Sequence, residues 1–403
     1  MRVLQVNAVN GIRSTGRTTE ELVNYLNENK HEAYVAFSRG TTDQAGFEIG
    51  NSIDRRFHAV MSRVTGKQAY FSKQSTTKLL QWMEKIKPDI VHLHNLHSNY
   101  INLHLILQYL AVNDIPTVLT LHDCWFYTGK CTHYTVDNCY KWKEKCGGCP
   151  RLKKDNKSWF FDQSTTMILD KKEWFTNIPR LGVVGVSDWI TNEARQSILS
   201  KAKIIRRIYN WIDLNKFKPV SFHDAKKEYE LENKFLILGV ASMWSNAKGL
   251  DKFLELAKEI KQDMAIVLIG NLPDMVKLPV NIIHIPETNH IDELVKFYSM
   301  ADVFLNLSME ESFGKVSAEA ISCGTPIITL NSTANPELVG EGCGYVLDVY
   351  DSLKILEYIS IIKNKGKLHY SSSCIRFAKE NFNKTDRIDD IIELYKNLIE
   401  SDV

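Results

Sequence analysis

The sequence predicts an α/β protein made of two doubly wound domains, each a parallel sheet with helices on both faces. Short apolar runs rich in β-branched residues alternate with amphipathic stretches along the chain. This series ends near residues 187–220 and then begins again. The length of 403 residues fits two or three domains of roughly 100–200 residues each.

The predicted strands of the first series are RVLQVNAV (2–9), EAYVAF (32–37), DIVHLH (89–94), TVLTLH (117–122) and LGVVGVS (181–187). Those of the second series are FLILGVAS (235–242), AIVLIG (265–270), NIIHI (281–285), DVFLNLS (302–308) and PIITL (326–330). Helical stretches such as TTKLLQWMEKIK (76–87) and LDKFLELAKEIKQ (250–262) lie between them. Continuous apolar strands joined by helical crossovers are typical of parallel sheets.

We therefore expect one domain at 1–200 and a second at 201–385. A last helix at 386–403 could dock on either domain, including a return to the first. Ligands of open parallel sheets bind beyond the carboxyl ends of the strands, so we expect two facing domains with a ligand cleft between them.

The composition argues against several classes of protein. The net charge is +2, so a strongly basic nucleic-acid binder is not the default expectation. We find no apolar run of the about 18 residues that a transmembrane helix needs, and the first residues lack the apolar core of a signal peptide. We therefore expect a cytoplasmic protein, whose eight cysteines are thiols or metal ligands rather than disulfides.

The most informative stretch is MEESFGKVSAEAISCGTP (309–326), which follows a predicted strand. Glu311 and Glu319 are separated by seven residues, which would be about two turns if the whole interval were helical. Gly314 permits a close approach of the backbone to a ligand, and the amides of a helix start suit a phosphate oxygen. For two glutamates alone, an exposed acidic helix start is the alternative.

A second loop, ASMWSNAKGLDKF (241–253), carries Lys248 and Gly249 after another predicted strand. Lysine can neutralise a diphosphate as a mobile point charge. An ordinary solvated lysine at a helix start is the alternative.

The acidic stretch, with Phe-Gly soon after Glu311 and Gly-Thr-Pro downstream, resembles the E-x7-E motif of the family-four glycosyltransferases, retaining enzymes of GT-B architecture. The resemblance implies that Glu311 meets the transferred sugar and that Glu319 accepts hydrogen bonds from the ribose of a nucleotide. The other donor-binding residues that it implies are Phe313, Gly314, Lys315 and Val316, through their backbone, with Lys248 and Gly249 as the family's Lys-Gly pair.

The chain departs from the family pattern at one phosphate contact. Family members usually carry an arginine where this chain has Ser242, or Met243 if the loop is aligned without a gap. We expect the Ser242 hydroxyl, Arg17 or Lys315 to compensate for the missing charge.

The first domain contributes a histidine and a glycine-rich loop. The resemblance places a functional histidine at the end of TVLTLH, and histidine can donate to a sugar hydroxyl or to a departing phosphate, so we predict that His122 is catalytic together with Glu311. For His92 we expect a buried, hydrogen-bonded side chain. The loop GIRSTGRT (11–18) nearly matches the phosphate loop of ATPases, but Arg17 replaces its lysine. We predict instead that Gly16 lets this backbone approach the donor or acceptor, with a kinase or nucleotidase as the weaker alternative.

An insertion near 124–160 holds a cluster of cysteines, of which Cys131, Cys139, Cys146 and Cys149 are candidate ligands of a structural zinc. Four thiolates suffice for a closed tetrahedral site. Unbound thiols and disulfides are the alternatives. Together with HNLHSNYIN and TLHDCWFYTGKC, the insertion resembles a subgroup of these transferases from bacterial capsule, exopolysaccharide and O-antigen pathways, and the resemblance spans nearly the whole chain.

A basic segment from Arg55 to Lys78 lacks Asp and Glu. Its apolar residues Phe57, Val60, Met61 and Val64 could share one helical face, and such a segment can lie on an anionic bilayer. A solvated basic helix that packs its apolar side on the core is the alternative.

These observations together predict a retaining hexosyltransferase. It moves a sugar from a nucleotide-diphosphate donor, bound by the second domain, to a glycan acceptor, expected to be lipid-linked, on the first. We expect no cofactor in catalysis and no nucleic-acid partner, and a peripheral position at the inner face of the membrane. The alternatives are a nucleotide-sugar epimerase or isomerase on the same scaffold and a non-catalytic sugar-nucleotide-binding protein.

Overall fold

The computed structural model describes residues 1–41, 45–286 and 290–401. The chain forms two compact units. The first consists of Met1–Ile208 together with the residues from Ile388 on, and the second of Tyr209–Arg387.

The first unit is built on a seven-stranded parallel sheet of order β3-β2-β1-β4-β5-β6-β7. Its strands are β1 Arg2–Asn10, β2 Glu32–Gly40, β3 Gly46–Glu48, β4 Ile90–Leu93, β5 Thr117–Leu121, β6 Leu181–Gly185 and β7 Ile204–Arg207. The helices between them are α1 Arg13–Glu28, α2 Ser52–Thr65, α3 Lys73–Ile86, α4 Leu103–Val112, α5 Ser164–Thr176 and α6 Asp188–Arg195. A single 3₁₀ turn, Lys141–Lys143, lies in the part of the insertion that carries the cysteines.

The second unit is built on a six-stranded parallel sheet of order β10-β9-β8-β11-β12-β13. Its strands are β8 Phe235–Met243, β9 Met264–Asn271, β10 Ile282–Ile285, β11 Val303–Asn306, β12 Ile327–Leu330 and β13 Gly344–Leu347. Its helices are α7 His223–Glu228, α8 Leu250–Leu256, α9 Ile291–Met300, α10 Lys315–Ser322, α11 Ser352–Lys365 and α12 Leu368–Phe382, with 3₁₀ turns at Asn246–Lys248 and Asn335–Leu338. The last helix, α13 Lys384–Glu400, begins here, and its residues from Ile388 on belong to the first unit.

The sheets form because their central strands are apolar on both faces. All residues of β4, β5, β6, β11 and β12 are buried, as expected for parallel strands covered by helices on each side. The register sets Gln5 of β1 opposite His92 of β4, and His92 opposite Val118 of β5. Polar residues of two neighbouring strands, Gln5 and His92, are thereby placed side by side in the interior.

All ten predicted strands are present, and three further strands were missed. The missed strands β3, β7 and β13 lie at sheet edges, where they are short and mostly half-buried or exposed. An edge strand buries less of its surface, so its apolar pattern is shorter and harder to recognise. The loop predicted at 11–18 was wrong in extent, since α1 already begins at Arg13, and the helix predicted at 250–262 was wrong in length, since α8 ends at Leu256.

No helix in the described part of the chain is both long and apolar enough to cross a bilayer.

Candidate functional site

The acidic stretch of the second unit forms a loop and a helix start. Glu311 lies in the loop between β11 and α10, so the helical spacing considered for Glu311 and Glu319 does not apply. Gly314 begins α10 with φ 90° and ψ 55°, a left-handed conformation that disfavours residues with a Cβ atom. A Cβ atom there would also lie 3.0 Å from Leu338 Cδ1. The glycine therefore determines how the loop enters the helix.

A buried network of amides and hydroxyls holds this loop in place. Asn306, the last residue of β11, donates through Nδ2 to Ser317 Oγ at 2.9 Å and to Asn335 Oδ1 at 3.1 Å. Asn335 donates in turn to the Ser308 carbonyl at 2.9 Å. The Glu311 amide donates to Thr333 Oγ1 at 2.8 Å, so the backbone on either side of the acidic residue is fixed.

The Lys-Gly loop of the second unit is tied to the acidic loop. The Lys248 Nζ and Glu311 Oε1 atoms are 2.5 Å apart, and the Met309 amide donates to the Ala247 carbonyl at 2.9 Å. Gly249 has φ 78°, and a Cβ atom there would lie 2.6 Å from the Leu307 carbonyl oxygen. The structure thus brings together Lys248, Gly249 and Glu311, which are distant in sequence.

Glu319 is buried on α10 and accepts a hydrogen bond from the Tyr298 hydroxyl at 2.9 Å. Burial, and then the neighbouring Glu319 carboxylate, raise the pKa of Tyr298 far above its usual value, so Tyr298 remains a donor. Tyr298 was missed by sequence reasoning, because nothing in its helical surroundings signals a carboxylate partner.

The other predicted donor-binding residues differ in burial and in their contacts. Phe313 is buried against Tyr209 and Phe382. Lys315 and Val316 are half-buried at the start of α10. Ser242 is exposed near the end of β8, where its carbonyl accepts from Asn271 Nδ2 at 3.1 Å.

In the first unit, His122 directly follows β5 and is half-buried. Its Nε2 atom lies 2.9 Å from Nδ1 of His94, and the two rings stack with centroids 5.2 Å apart. The next residue, Asp123, accepts from His97 Nε2 at 2.9 Å. Burial acts to raise the pKa of Asp123, but His97, the Trp125 amide and His133 together outweigh burial and the pKa is lowered.

His92 is fully buried and hydrogen-bonded on both ring nitrogens, which confirms the structural role expected for it.

Gly16 lies inside α1 rather than in a loop, which corrects the expected extent of the glycine-rich segment. A Cβ atom there would come within 3.3 Å of the Asn10 backbone, so the glycine allows α1 to pack closely on β1. Its carbonyl accepts from the Gly11 amide at 3.2 Å. A role of Gly16 in ligand binding stays a prediction.

The cysteines of the insertion surround one small cavity with about 20 Å³ of space, enough for about one water-sized occupant. Its lining includes Cys131, Cys139, Cys146 and Cys149. The Cys131 thiol donates toward Cys149 and so lowers the pKa of Cys149, whereas burial raises the pKa of Cys146 to about 11. In the described ranges, no three His, Cys, Asp or Glu side chains stand ready to hold a metal ion. The zinc site stays a prediction.

Helix α2 carries only the first part of the basic segment, up to Thr65, and presents apolar side chains outward, whereas the last part lies in α3. Ile53, Phe57 and Val60 are exposed by 74%, 58% and 45%, whereas Met61 is half-buried. The loop that holds exposed Trp159 is joined to the end of α2, since the Trp159 amide donates to the Arg63 carbonyl at 2.7 Å.

Two family models match the chain. Residues 15–216 match the model described as Glycosyltransferase Family 4, and residues 221–398 match the model described as Glycosyl transferases group 1. The chain belongs to the family-four glycosyltransferases. This family consists of retaining enzymes with the GT-B fold, in agreement with the two parallel α/β sheets.

Relatives of this family-four chain include N-acetyl-alpha-D-glucosaminyl L-malate synthase of Bacillus anthracis, 26% identical over 50% of this chain and 55% of the relative. Another is the capsular polysaccharide biosynthesis glycosyltransferase CapM of Staphylococcus aureus, 26% identical over 40% of this chain and 45% of the relative. The matched stretches thus span about half the length of these relatives.

Solved structures with a similar fold include a glycosyltransferase from Rickettsia africae, with a TM-score of 0.70, 15% identity and coverage of 100% of this chain and 99% of that one. The Anabaena protein Alr3699/HepE in complex with UDP gives a TM-score of 0.69 at 16% identity and covers 98% of this chain and 100% of its own. The TM-scores show a shared fold, and at these low identities they show the fold alone.

Proposed function

We propose that this family-four glycosyltransferase moves a hexose-type sugar, with retention of anomeric configuration, from a nucleotide-diphosphate donor to a glycan acceptor of surface polysaccharide synthesis. The observation that carries the proposal is the joining of the predicted donor residues within the second unit. Lys248, Gly249 and Glu311 meet through the 2.5 Å ion pair and the loop contacts beside it. Relatives named for capsule synthesis and a fold neighbour solved with UDP support the same substrate classes.

The predicted site residues have different roles, which follow from their charges and hydrogen-bonding groups. Lys248 and the amides at the start of α10 balance the diphosphate, on which negative charge develops as the sugar departs. Glu311 contacts the sugar, and Glu319, oriented by Tyr298, accepts from the ribose hydroxyls. His122 donates to or accepts from a sugar hydroxyl in the first unit. No cofactor besides the nucleotide sugar takes part in this scheme.

The test is a panel of nucleotide sugars assayed by mass spectrometry with a lipid-linked acceptor extract. We expect one donor to extend the acceptor, and Glu311→Gln to reduce this transfer. Consumption of donor without acceptor would indicate an epimerase or isomerase instead. Donor binding without turnover, unchanged by Glu311→Gln, would indicate a non-catalytic binding protein.

We also propose that α2 touches an anionic membrane surface, where a lipid-linked acceptor would be reached. The exposed Ile53, Phe57 and Val60 supply apolar area, and the exposed Arg56 and Arg63 of the same helix supply positive charge worth about 1 kcal/mol each near such a surface.

Sedimentation with vesicles tests this contact. We expect binding to phosphatidylglycerol vesicles and little to phosphatidylcholine vesicles, and weaker binding for Phe57→Ser. The control is Leu368→Ser, which removes an 86% exposed apolar side chain of the second unit. Equal binding by both variants would contradict a contact through α2.

A further inference from the structure

A continuous chain of buried hydrogen bonds runs from His122 into the first unit. His122 Nε2 lies 2.9 Å from His94 Nδ1, and His94 Nε2 lies 2.8 Å from Gln5 Oε1. Gln5 Nε2 donates to the Tyr395 hydroxyl at 3.1 Å. Tyr395 belongs to α13, so the C-terminal helix supplies a link in the chain.

The series of hydrogen bonds continues beyond Tyr395. The hydroxyl of Tyr395 lies 2.6 Å from His92 Nδ1, and His92 Nε2 lies 2.6 Å from Thr120 Oγ1. Gln5, His92, His94 and Tyr395 are all completely or almost completely buried. Buried polar groups need partners, so the direction of one hydrogen bond constrains the next.

The orientation of the Gln5 amide determines which group donates in the hydrogen bonds between Gln5, His94 and His122. An amide oxygen only accepts, so the hydrogen between Gln5 and His94 belongs to His94 Nε2. Burial lowers the pKa of His94 well below its usual value, which keeps the ring neutral with its lone pair on Nδ1. His122 must then donate through Nε2, so in the neutral form of this ring the lone pair is on Nδ1.

The same orientation is consistent at the other end. Tyr395 accepts from Gln5 and donates to His92 Nδ1, so His92 Nε2 carries the hydrogen that is directed at Thr120 Oγ1. Burial lowers the pKa of His92 to about 3, so this ring is neutral as well. All hydrogen bonds in this series therefore point from His122 towards Thr120. Reversing the Gln5 amide would reverse all of them.

We propose that Gln5 and Tyr395 are positioning residues that, through His94, select the Nε2–H tautomer for the neutral form of His122. The inference rests on the proposed function, in which His122 meets a sugar hydroxyl. In this tautomer Nδ1 is the ring nitrogen that accepts from a hydroxyl, and the opposite tautomer would present a donor there. The C-terminal helix thereby controls the chemistry of a residue that is distant in sequence.

The test reads the tautomer directly, without substrate. In protein labelled with ¹⁵N-histidine, two-bond ¹H–¹⁵N correlations distinguish the two neutral tautomers, and the spectrum of His122→Gln assigns the His122 signals. We expect the Nε2–H form of His122 in the wild type. In Tyr395→Phe the Gln5 amide loses the partner that orients it. The ratio of Nδ1–H to Nε2–H His122 should then rise about fivefold, the factor that corresponds to one neutral hydrogen bond.

Two further variants complete the design. Gln5→Met removes the hydrogen bond between Gln5 and Tyr395 by changing the other partner. It should raise the ratio of Nδ1–H to Nε2–H His122 by a similar factor. Tyr25→Phe is the matched control, because the Tyr25 hydroxyl donates to Asp389 Oδ1 of the same helix at 2.9 Å, and it should leave the ratio unchanged.

An Nδ1–H form of His122 in the wild type would overturn the proposal, even if no variant folds. An unchanged ratio in a folded Tyr395→Phe protein would overturn it too. Neither the wild-type tautomer nor the ratio in Tyr395→Phe requires turnover. A failure of the proposed transfer reaction would therefore look different: activity would be absent although His122 has the expected tautomer. With activity present, Tyr395→Phe should lower kcat about tenfold while the KM for the donor stays the same, because the donor-binding residues of the second unit are untouched.

Discussion

Lys248 and Glu311 form an ion pair, with Nζ and Oε1 2.5 Å apart, although they come from two different loops of the second unit. Both side chains are in partial contact with solvent, with 37% and 16% of their surfaces exposed. A diphosphate that binds at Lys248 would compete with Glu311 for the same ammonium group. The pair therefore keeps the lysine oriented in the absence of a ligand.

The first prediction concerns the lysine. Lys248→Met should weaken UDP binding about tenfold, because a charge-assisted hydrogen bond to the diphosphate is lost. Isothermal titration calorimetry measures the effect. The control is Lys258→Met, which removes an exposed lysine of the same unit. Equal affinities for the two variants would exclude Lys248 as a diphosphate ligand.

The second prediction concerns the glutamate. Glu311→Gln keeps the shape of the side chain but removes its charge, and should lower kcat for transfer about 100-fold if Glu311 stabilises charge on the sugar. UDP affinity should be retained or increased, because Lys248 is no longer neutralised by a carboxylate. Glu341→Gln, at an exposed site of the same unit, is the control. A parallel loss of UDP affinity and kcat would argue against a role on the sugar.

The third prediction separates backbone strain from crowding. Gly314 has φ 90° and a crowded Cβ position, 3.0 Å from Leu338 Cδ1, whereas Gly366 has φ 78° and no atom within 4 Å of a Cβ atom. Both Gly→Ala changes should cost about 1–2 kcal/mol in the free energy of unfolding because of the positive φ. Gly314→Ala should cost more and should also weaken UDP binding. Urea denaturation and calorimetry check both effects, and identical behaviour of the two variants would show that the Gly314 loop is not under steric constraint.

The fourth prediction concerns stability and pH in the first unit. Burial lowers the pKa of His58 to about 4 and that of His92 to about 3. Between these values and 6.5 the unfolded chain binds more protons than the folded chain, so the free energy of unfolding falls as the pH drops. We expect a loss of about 2 kcal/mol per histidine between about pH 7 and pH 5.

Urea denaturation at the two pH values measures this loss. His58→Asn, whose amide can still reach Ser72, should make it smaller by the share of one histidine. His104→Asn changes an exposed histidine of the same unit and should leave the pH dependence as it is. An unaltered pH dependence in His58→Asn would show that His58 is protonated equally in both states.

The fifth prediction concerns the cysteine cavity. Lys130 and Lys171 are buried, and their charges act to lower the pKa values of Cys149 and Cys146, respectively. A zinc ion with four thiolates has a net charge of about −2, which two ammonium groups would balance. We expect about one zinc ion per chain by elemental analysis.

Cys146→Ser should reduce the zinc content, and Cys374→Ser, at a buried site of the second unit, should not. Zinc-free protein with reactive thiols at Cys131, Cys139, Cys146 and Cys149 would contradict the zinc hypothesis and favour the alternative of unbound cysteines.

The sequence by itself determined the class of fold and the stretches that carry the candidate donor site. Parallel strands buried on both faces leave continuous apolar runs, and the acidic loop and the Lys-Gly loop are local patterns, so each can be recognised within a few residues. Edge strands such as β3 and β13 were missed, because partly buried strands have a weak pattern of apolar residues. The start of α1 at Arg13 was missed, because the first turn of a helix has no distinct local pattern in this sequence.

Only the tertiary structure decided which side chains meet. Lys248 pairs with Glu311, Tyr298 donates to Glu319, and Gln5 meets Tyr395 across 390 positions of sequence. No local periodicity encodes these contacts, because they depend on strand order, on sheet register and on the return of α13 to the first unit. The physical reason is that a buried polar group is stabilised by a partner in space, and its neighbours along the chain do not specify that partner.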